Sequence, residues 1–276
     1  QLIGAAFFLI LNIYLAKQGF SDPEIANFIS YRFLAVMLLA FPLGFYIKGK
    51  PLKPFFLLGS LGVPTVAIAL VLALQYGLYQ YLPTLFILWG IVFTLFQVSS
   101  LPYVMRNTSV ANQSHAISLN YATHSFGTIL SGIIIFGFGQ FMREMDEGII
   151  LLFISALGFS GVYFLLKMKV DIVVPVKKGL QWKSYDWGLL LKAIIPTVII
   201  AVGAGLTIPF INLFFFHNFQ IDSTGFAVIG GVSSVFVAFL ALLVPNVKNK
   251  LGFKKGITYT QTTAVLALIA LATTEF

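Results

Sequence analysis

Arg32 stands in the run Ser30-Tyr31-Arg32-Phe33, inside a stretch of sequence that is otherwise apolar. A guanidinium is a planar fork of donors matched to the oxygens of a carboxylate or phosphate, so its first reading is an anchor for an anionic group. Two plainer uses are open to it: reaching outward along its own stem, or pairing with Asp22 or Glu24 nearby. His124, in Asn120-Tyr121-Ala122-Thr123-His124-Ser125, is the candidate proton carrier, because imidazole changes charge near neutral pH. A neutral bond between helices is its alternative use. Asn12, Gln97, Asn120 and Asn212 offer amides that can meet a bound solute or join one helix to another. Ser125 extends the strip begun by Asn120, and His217 reads as an interfacial side chain. Gly203, Gly205 and Pro209 lie in Gly203-Ala204-Gly205-Leu206-Thr207-Ile208-Pro209 and suit a gating helix that bends. Proline removes a backbone bond there and glycine tolerates the bend; close packing on a neighbour is the other use of the glycines.

No catalytic set accompanies these residues. Cysteine is absent, which excludes thiolate chemistry, disulfides and Cys-based metal sites. The sequence holds no convergent Ser/His/Asp arrangement, no metal-ligand cluster and no GxxxxGK[ST] phosphate loop. The expectation is a chain that binds rather than one that makes bonds: not an enzyme, with no cofactor and no metal.

The elements that must position these residues follow from composition. Of the 276 residues 59% are apolar and 9% charged, against about 25% charged in a soluble domain. Such a chain needs lipid around it. Stretches of about 20 apolar residues, the length that crosses the hydrocarbon core, are expected near 1–17, 25–47, 54–74, 82–105, 116–140, 148–167, 192–216, 225–247 and 256–274. Arg32 then lies roughly 12 Å inside the second span at about 1.5 Å per residue. The sequence starts at Gln1 within an apolar segment and stops at Phe276 just after another, so both ends look cut.

The loop charges sort by alternate loops. Lys48, Lys50, Lys53, Arg106, Lys167, Lys169, Lys177, Lys178, Lys183, Lys192, Lys248, Lys250, Lys254 and Lys255 fall on one side. Lys17 and Arg143 fall on the other, beside Asp22, Glu24, Glu144, Asp146, Glu147, Asp222 and Glu275. The positive-inside rule makes the lysine-rich side cytoplasmic and puts the N-terminus there too. The net charge of +8 is thus a topology signal and not a nucleic-acid footprint. The longest polar stretch separates six spans from three, giving an N-terminal half at 1–168, a cytoplasmic linker at 169–190 and a partial second half at 191–276. Trp182, Tyr185 and Trp187 in or beside that linker suit the headgroup level. No Asp or Glu falls inside spans one to eight, so a proton-coupling group would have to be His124, lie in helices beyond this sequence, or not exist.

An offset of 200 residues relates the two sides of the linker. Leu11-Asn12-Ile13-Tyr14-Leu15 matches Ile211-Asn212-Leu213-Phe214-Phe215, Asp22 matches Asp222, Lys48 matches Lys248 and Lys50 matches Lys250. Parallel repeats of this kind are one of the transporter schemes, with the solute site between the halves. In this plan the chain resembles the major facilitator superfamily. Asn249-Lys250-Leu251-Gly252-Phe253-Lys254-Lys255 is similar to that family's basic loop motif, with Asn in place of the Asp. The first copy, from Gly44 through Lys48 and Lys50 to Lys53, lacks both the Asp and the second Gly. The segment from Leu101-Pro102-Tyr103 through Arg106 to Ser118-Leu119-Asn120 resembles the connection between helices 4 and 5 in bacterial permeases of the family.

The resemblance implies a two-half helical bundle with nine of twelve helices present. It implies a secondary transporter in a bacterial inner membrane that moves a small solute by alternating access, with protons as candidate coupling ions. Its first and seventh helices, and so Asn12 and Asn212, would line the cavity. Arg32 would suit an anionic or zwitterionic solute. The alternative is a membrane scaffold or receptor that uses the same fold and transports nothing.

Overall fold

The computed structural model describes residues 1–141, 146–168 and 186–273. Arg143, Glu144 and Met145 lie outside the described residues, as do Lys169, Lys177, Lys178, Trp182, Lys183 and Tyr185 of the linker, and Glu275. Every element among the described residues is helical, and none is a strand. We number the long helices α1 (Leu2–Lys17), α2 (Asp22–Tyr46), α3 (Lys53–Gln75), α4 (Leu82–Arg106), α5 (Gln113–Phe141), α6 (Glu147–Lys167), α7 (Trp187–Phe219), α8 (Ser223–Gly252) and α9 (253–273). Seven of these, α2 to α8, are long and apolar enough to cross a bilayer, and α1 is a shorter apolar helix.

Polar residues at the turns set the helix starts. Ser21 and Glu24 form a reciprocal cap on α2, with the Ser21 N–H donating to Glu24 Oε2 at 2.8 Å and Pro23 in the first turn. Asp146 accepts from the Gly148 N–H at 3.2 Å and opens α6. Asp186 accepts from the Leu189 N–H at 3.0 Å, so α7 begins at Trp187. The expected linker therefore ends before residue 190, because a carboxylate acceptor already closes the first turn. No loop separates α8 from α9. The helix runs through Pro245 and the expected break at Asn246-Val247-Lys248, and turns only at Gly252, whose φ of 71° suits a residue without a Cβ.

Two helices are irregular within their apolar runs. In α1 the segment Phe7–Leu11 is π-helical, and in α7 a short 3₁₀ turn, Ile208–Phe210, separates Trp187–Thr207 from Ile211–Phe219. Helix α1 is buried almost all round, with Phe7, Leu9, Ile10, Ile13, Tyr14 and Leu15 at 2% exposure or less. A helix apolar on every face belongs in the centre of a bundle. It packs on α5, α6 and α8, while α2 and α3 flank α4 and the most extensive pairing joins α5 to α8. Small residues allow that last approach, with a Cβ on Gly132 placed 2.8 Å from the Ala227 carbonyl oxygen.

Contacts at the helix ends separate the loops by parity, as the charge pattern expects. At one end Arg106 donates to the Lys50 and Ile47 carbonyls, Lys53 to the Leu166 and Met168 carbonyls, and Lys248 Nζ to Ser114 Oγ at 3.0 Å. At the other, Lys17 pairs with Glu147, Ser223 Oγ donates to Glu147 Oε1 at 2.9 Å, and His217 Nε2 meets Asp22 Oδ1 at 3.1 Å. Glu147 is expected in a solvated loop, yet it is buried beneath this network. It opens α6, and the helices carrying Lys17 and Ser223 close over it.

Candidate functional site

Arg32 lies about 15 Å along α2 from Asp22, because that helix starts earlier than its hydropathy suggests. The helix runs on for about 21 Å beyond it to Tyr46, so Arg32 lies well inside the apolar run. Neither expected carboxylate partner is available. Glu24 is engaged with Ser21, and Asp22 faces His217. The guanidinium instead lies over the Trp89 ring at 4.1 Å, with Phe93 at 5.0 Å and Phe33 at 5.4 Å from its carbon.

Trp89 and Phe93 are not among the candidates that the sequence marks out. Phe86, Trp89 and Phe93 recur at helical spacing on one face of α4, and that stripe, set against an intramembrane arginine, is the signal that could have found them. Gly90 brings the stripe into place. A Cβ there would collide with the Arg32 carbonyl oxygen and lie 2.9 Å from the Ala35 Cβ, so glycine sets the approach of α4 to α2.

Around this arginine α1, α2, α4, α5 and α7 line an open cavity of about 300 Å³. Its wall includes Phe7, Phe8 and Asn12 from α1, Arg32 and Phe33 from α2, Phe86, Trp89 and Phe93 from α4, His124 from α5, and Ile208 with Pro209 from α7. Three candidates widely separated in sequence, Arg32, His124 and Asn12, thus share one cavity with Pro209. The imidazole of His124 has no hydrogen-bond partner among the described residues; only its backbone carbonyl is engaged, by Thr128 Oγ1 at 3.2 Å.

Two donors on this wall lack acceptors. Arg32 Nε and Trp89 Nε1 are both buried with no hydrogen-bond partner among the described residues. An arginine at mid-membrane costs about 2.5–3.5 kcal/mol on insertion scales. Ring faces return about 0.5–2 kcal/mol, while each buried donor without an acceptor costs about 1–3 kcal/mol.

The remaining candidates fall elsewhere. Gln97 is exposed on α4 and does not line the cavity. Asn120 accepts from Ser100 Oγ at 2.9 Å and ties α5 to α4. Among the described residues nothing lies within 4 Å of a Cβ placed on Gly203 or Gly205. The break in α7 falls just after them, at Ile208–Phe210, where Pro209 has no N–H to give.

Asn212 is buried beside the cavity rather than on its wall, and it is bound to Asn12. Asn12 Nδ2 donates to Asn212 Oδ1 at 3.0 Å and to the Pro209 carbonyl at 2.6 Å. Asn212 Nδ2 in turn donates to the Phe8 carbonyl at 3.1 Å and the Leu9 carbonyl at 3.4 Å, within the π-helical segment of α1. A regular helix would bond the Leu213 N–H to the Pro209 carbonyl. Here the N–H goes to Asn212 Oδ1 at 2.9 Å and the carbonyl to Asn12. Each asparagine therefore satisfies the backbone irregularity of the other's helix. The two positions are 200 residues apart, the offset of the sequence repeat.

Fold and site define a class: an all-helical, multi-pass membrane protein with a charged, aromatic-walled cavity among its helices. No family model, no curated protein and no solved structure matches the chain.

Proposed function

We propose that this chain is a secondary transporter of the major facilitator kind. It moves a small anionic or zwitterionic solute by alternating access, its two halves rocking about the Arg32 cavity. The observation that carries the reading is the cavity itself: a guanidinium inside an apolar helix with no carboxylate partner among the described residues, on a wall shared with His124 and built by helices from both sides of the linker. The contact between Asn12 and Asn212 supports it, because repeat-related residues meet where an axis relating two parallel halves would pass. On this reading the lysine-rich end is cytoplasmic, as is the N-terminus, and the membrane is a bacterial inner membrane. His124 is the group able to carry a proton.

The test is solute loading into proteoliposomes that hold the full chain, followed by mass spectrometry of the lumen after exposure to a mixture of small anions and zwitterions. Wild type loads at least one solute above protein-free vesicles, and Arg32→Ala abolishes that loading with helical content retained. If wild type loads none, the protein is a scaffold or receptor on a transporter-like fold. If Arg32→Ala loads normally, the solute is held elsewhere.

A further inference from the structure

We infer that the Arg32 cavity selects a small monoanion with an apolar, ring-sized body, an aryl or short alkyl carboxylate, and rejects zwitterions and cations of the same shape. The inference rests on the transport reading only in taking this cavity as the seat of the solute. Arg32 and Trp89 both line the cavity, and each carries a covered donor, Arg32 Nε and Trp89 Nε1, that has no acceptor among the described residues and meets one only when the side chains part. A carboxylate brings two oxygens, enough to accept side-on from the guanidinium and from the indole N–H together. The amide N–H₂ of Asn12 does not compete, because it is already donated to Pro209 and Asn212.

Charge decides against the zwitterion. No Asp or Glu is found among the described lining residues, so an ammonium group would meet no counter-charge there, only ring faces and the neutral His124 imidazole and Gln1 and Asn12 amides. The Trp89 face is already occupied by the guanidinium at 4.1 Å, and a second cation there is repelled. Shape and size agree with the charge argument. Aromatic side chains make up much of the wall of this cavity of about 300 Å³. A ring with one short acidic arm fits those limits.

Phenylacetate, phenylacetamide, phenylalanine and phenethylamine share a body and differ in charge, and they serve as probes. Titration calorimetry on the full chain in phosphatidylcholine nanodiscs should show saturable phenylacetate binding. The amide should bind at least ten-fold more weakly, and the zwitterion and amine should not saturate. Arg32→Gln should weaken phenylacetate ten-fold or more, with Arg32→Lys between it and wild type. Trp89→Phe keeps a ring beneath the guanidinium but removes the N–H. It should cut acid affinity several-fold and narrow the acid-to-amide ratio, and it carries the test should Arg32→Gln not fold.

The inference is overturned if amide or amine binds as tightly as the acid, if no acid from acetate to naphthoate saturates, or if Trp89→Phe changes neither affinity nor ratio. Phosphatidylglycerol discs separate a free solute from a lipid phosphate. Unchanged phenylacetate affinity supports the solute, while loss of binding in those discs makes a lipid headgroup the occupant and overturns it. Arg32-dependent binding without flux sinks the transport reading and leaves the selectivity standing. Arg32-dependent flux of phenylalanine does the reverse.

Discussion

At mid-membrane a single side chain can dominate a local energy balance, and Arg32 does so here. The rings against it offset part of the cost of its burial, and its Nε has no acceptor among the described residues. The residue is legible in the sequence because a charge inside an apolar run is rare. Trp89 and Gly90 are not, since tryptophan and glycine are ordinary in membrane helices and only the folded contact gives them roles. Gly90→Leu is expected to push α4 away from α2, because a Cβ at Gly90 already overlaps the Arg32 carbonyl oxygen. The protein should lose thermal stability, and a melting curve in detergent matching wild type would sink this account of Gly90. His124 shares the cavity and lacks a side-chain hydrogen bond among the described residues, so His124→Gln should retain solute binding and abolish the dependence of accumulation on a pH gradient. An unchanged pH profile for the mutant in proteoliposomes would remove it as the proton carrier.

Among the elements, hydropathy locates the helices well and their interruptions badly. The apolar run of α3, through Val63, Val66 and Leu70, is helical where its hydropathy places a span. The π-helical turn of α1, in contrast, has its carbonyls met by an amide about two hundred positions away, and no local pattern announces it. The α8–α9 junction departs from the expected loop for a related reason. Pro245 and the lysines that follow have the composition of a loop, but the chain needs a positive φ to turn, and it finds one at Gly252. The asparagine pair gives the element scale its own prediction. Asn12→Leu and Asn212→Leu each remove donors that satisfy carbonyls on the opposite helix, and each should cost about 1–3 kcal/mol. Because the two act as one unit, the double mutant should cost clearly less than the sum of the singles. Additive losses in unfolding measurements would mean that the two amides work independently.

For the whole molecule, the two ends of the bundle are tied in different ways. At the acidic end Lys17, Glu147 and Ser223 join α1, α6 and α8, while His217 and Asp22 join α7 to α2. The loop charges make the two ends distinguishable from sequence. The burial of Glu147 is not legible there, because nothing local marks which loop carboxylate three helices will cover. Glu147→Gln should loosen this end and favour states open there. Since the chain has no cysteine, a single Ile208→Cys reporter on the cavity wall can read the change. Its reaction with a membrane-impermeant thiol reagent added from the acidic side should speed up several-fold in the Glu147→Gln background. Equal labelling rates in both backgrounds would show that the ion pair does not hold this end closed.

The bond between Asn12 and Asn212 also sets an order of events during synthesis. A ribosome adding about 5–20 residues per second needs roughly 10–40 s to travel between the two positions. Throughout that interval α1 is in the bilayer without the amide that its Phe8 and Leu9 carbonyls accept from. The contact that meets those two carbonyls is therefore made late, only once the seventh helix has been synthesised.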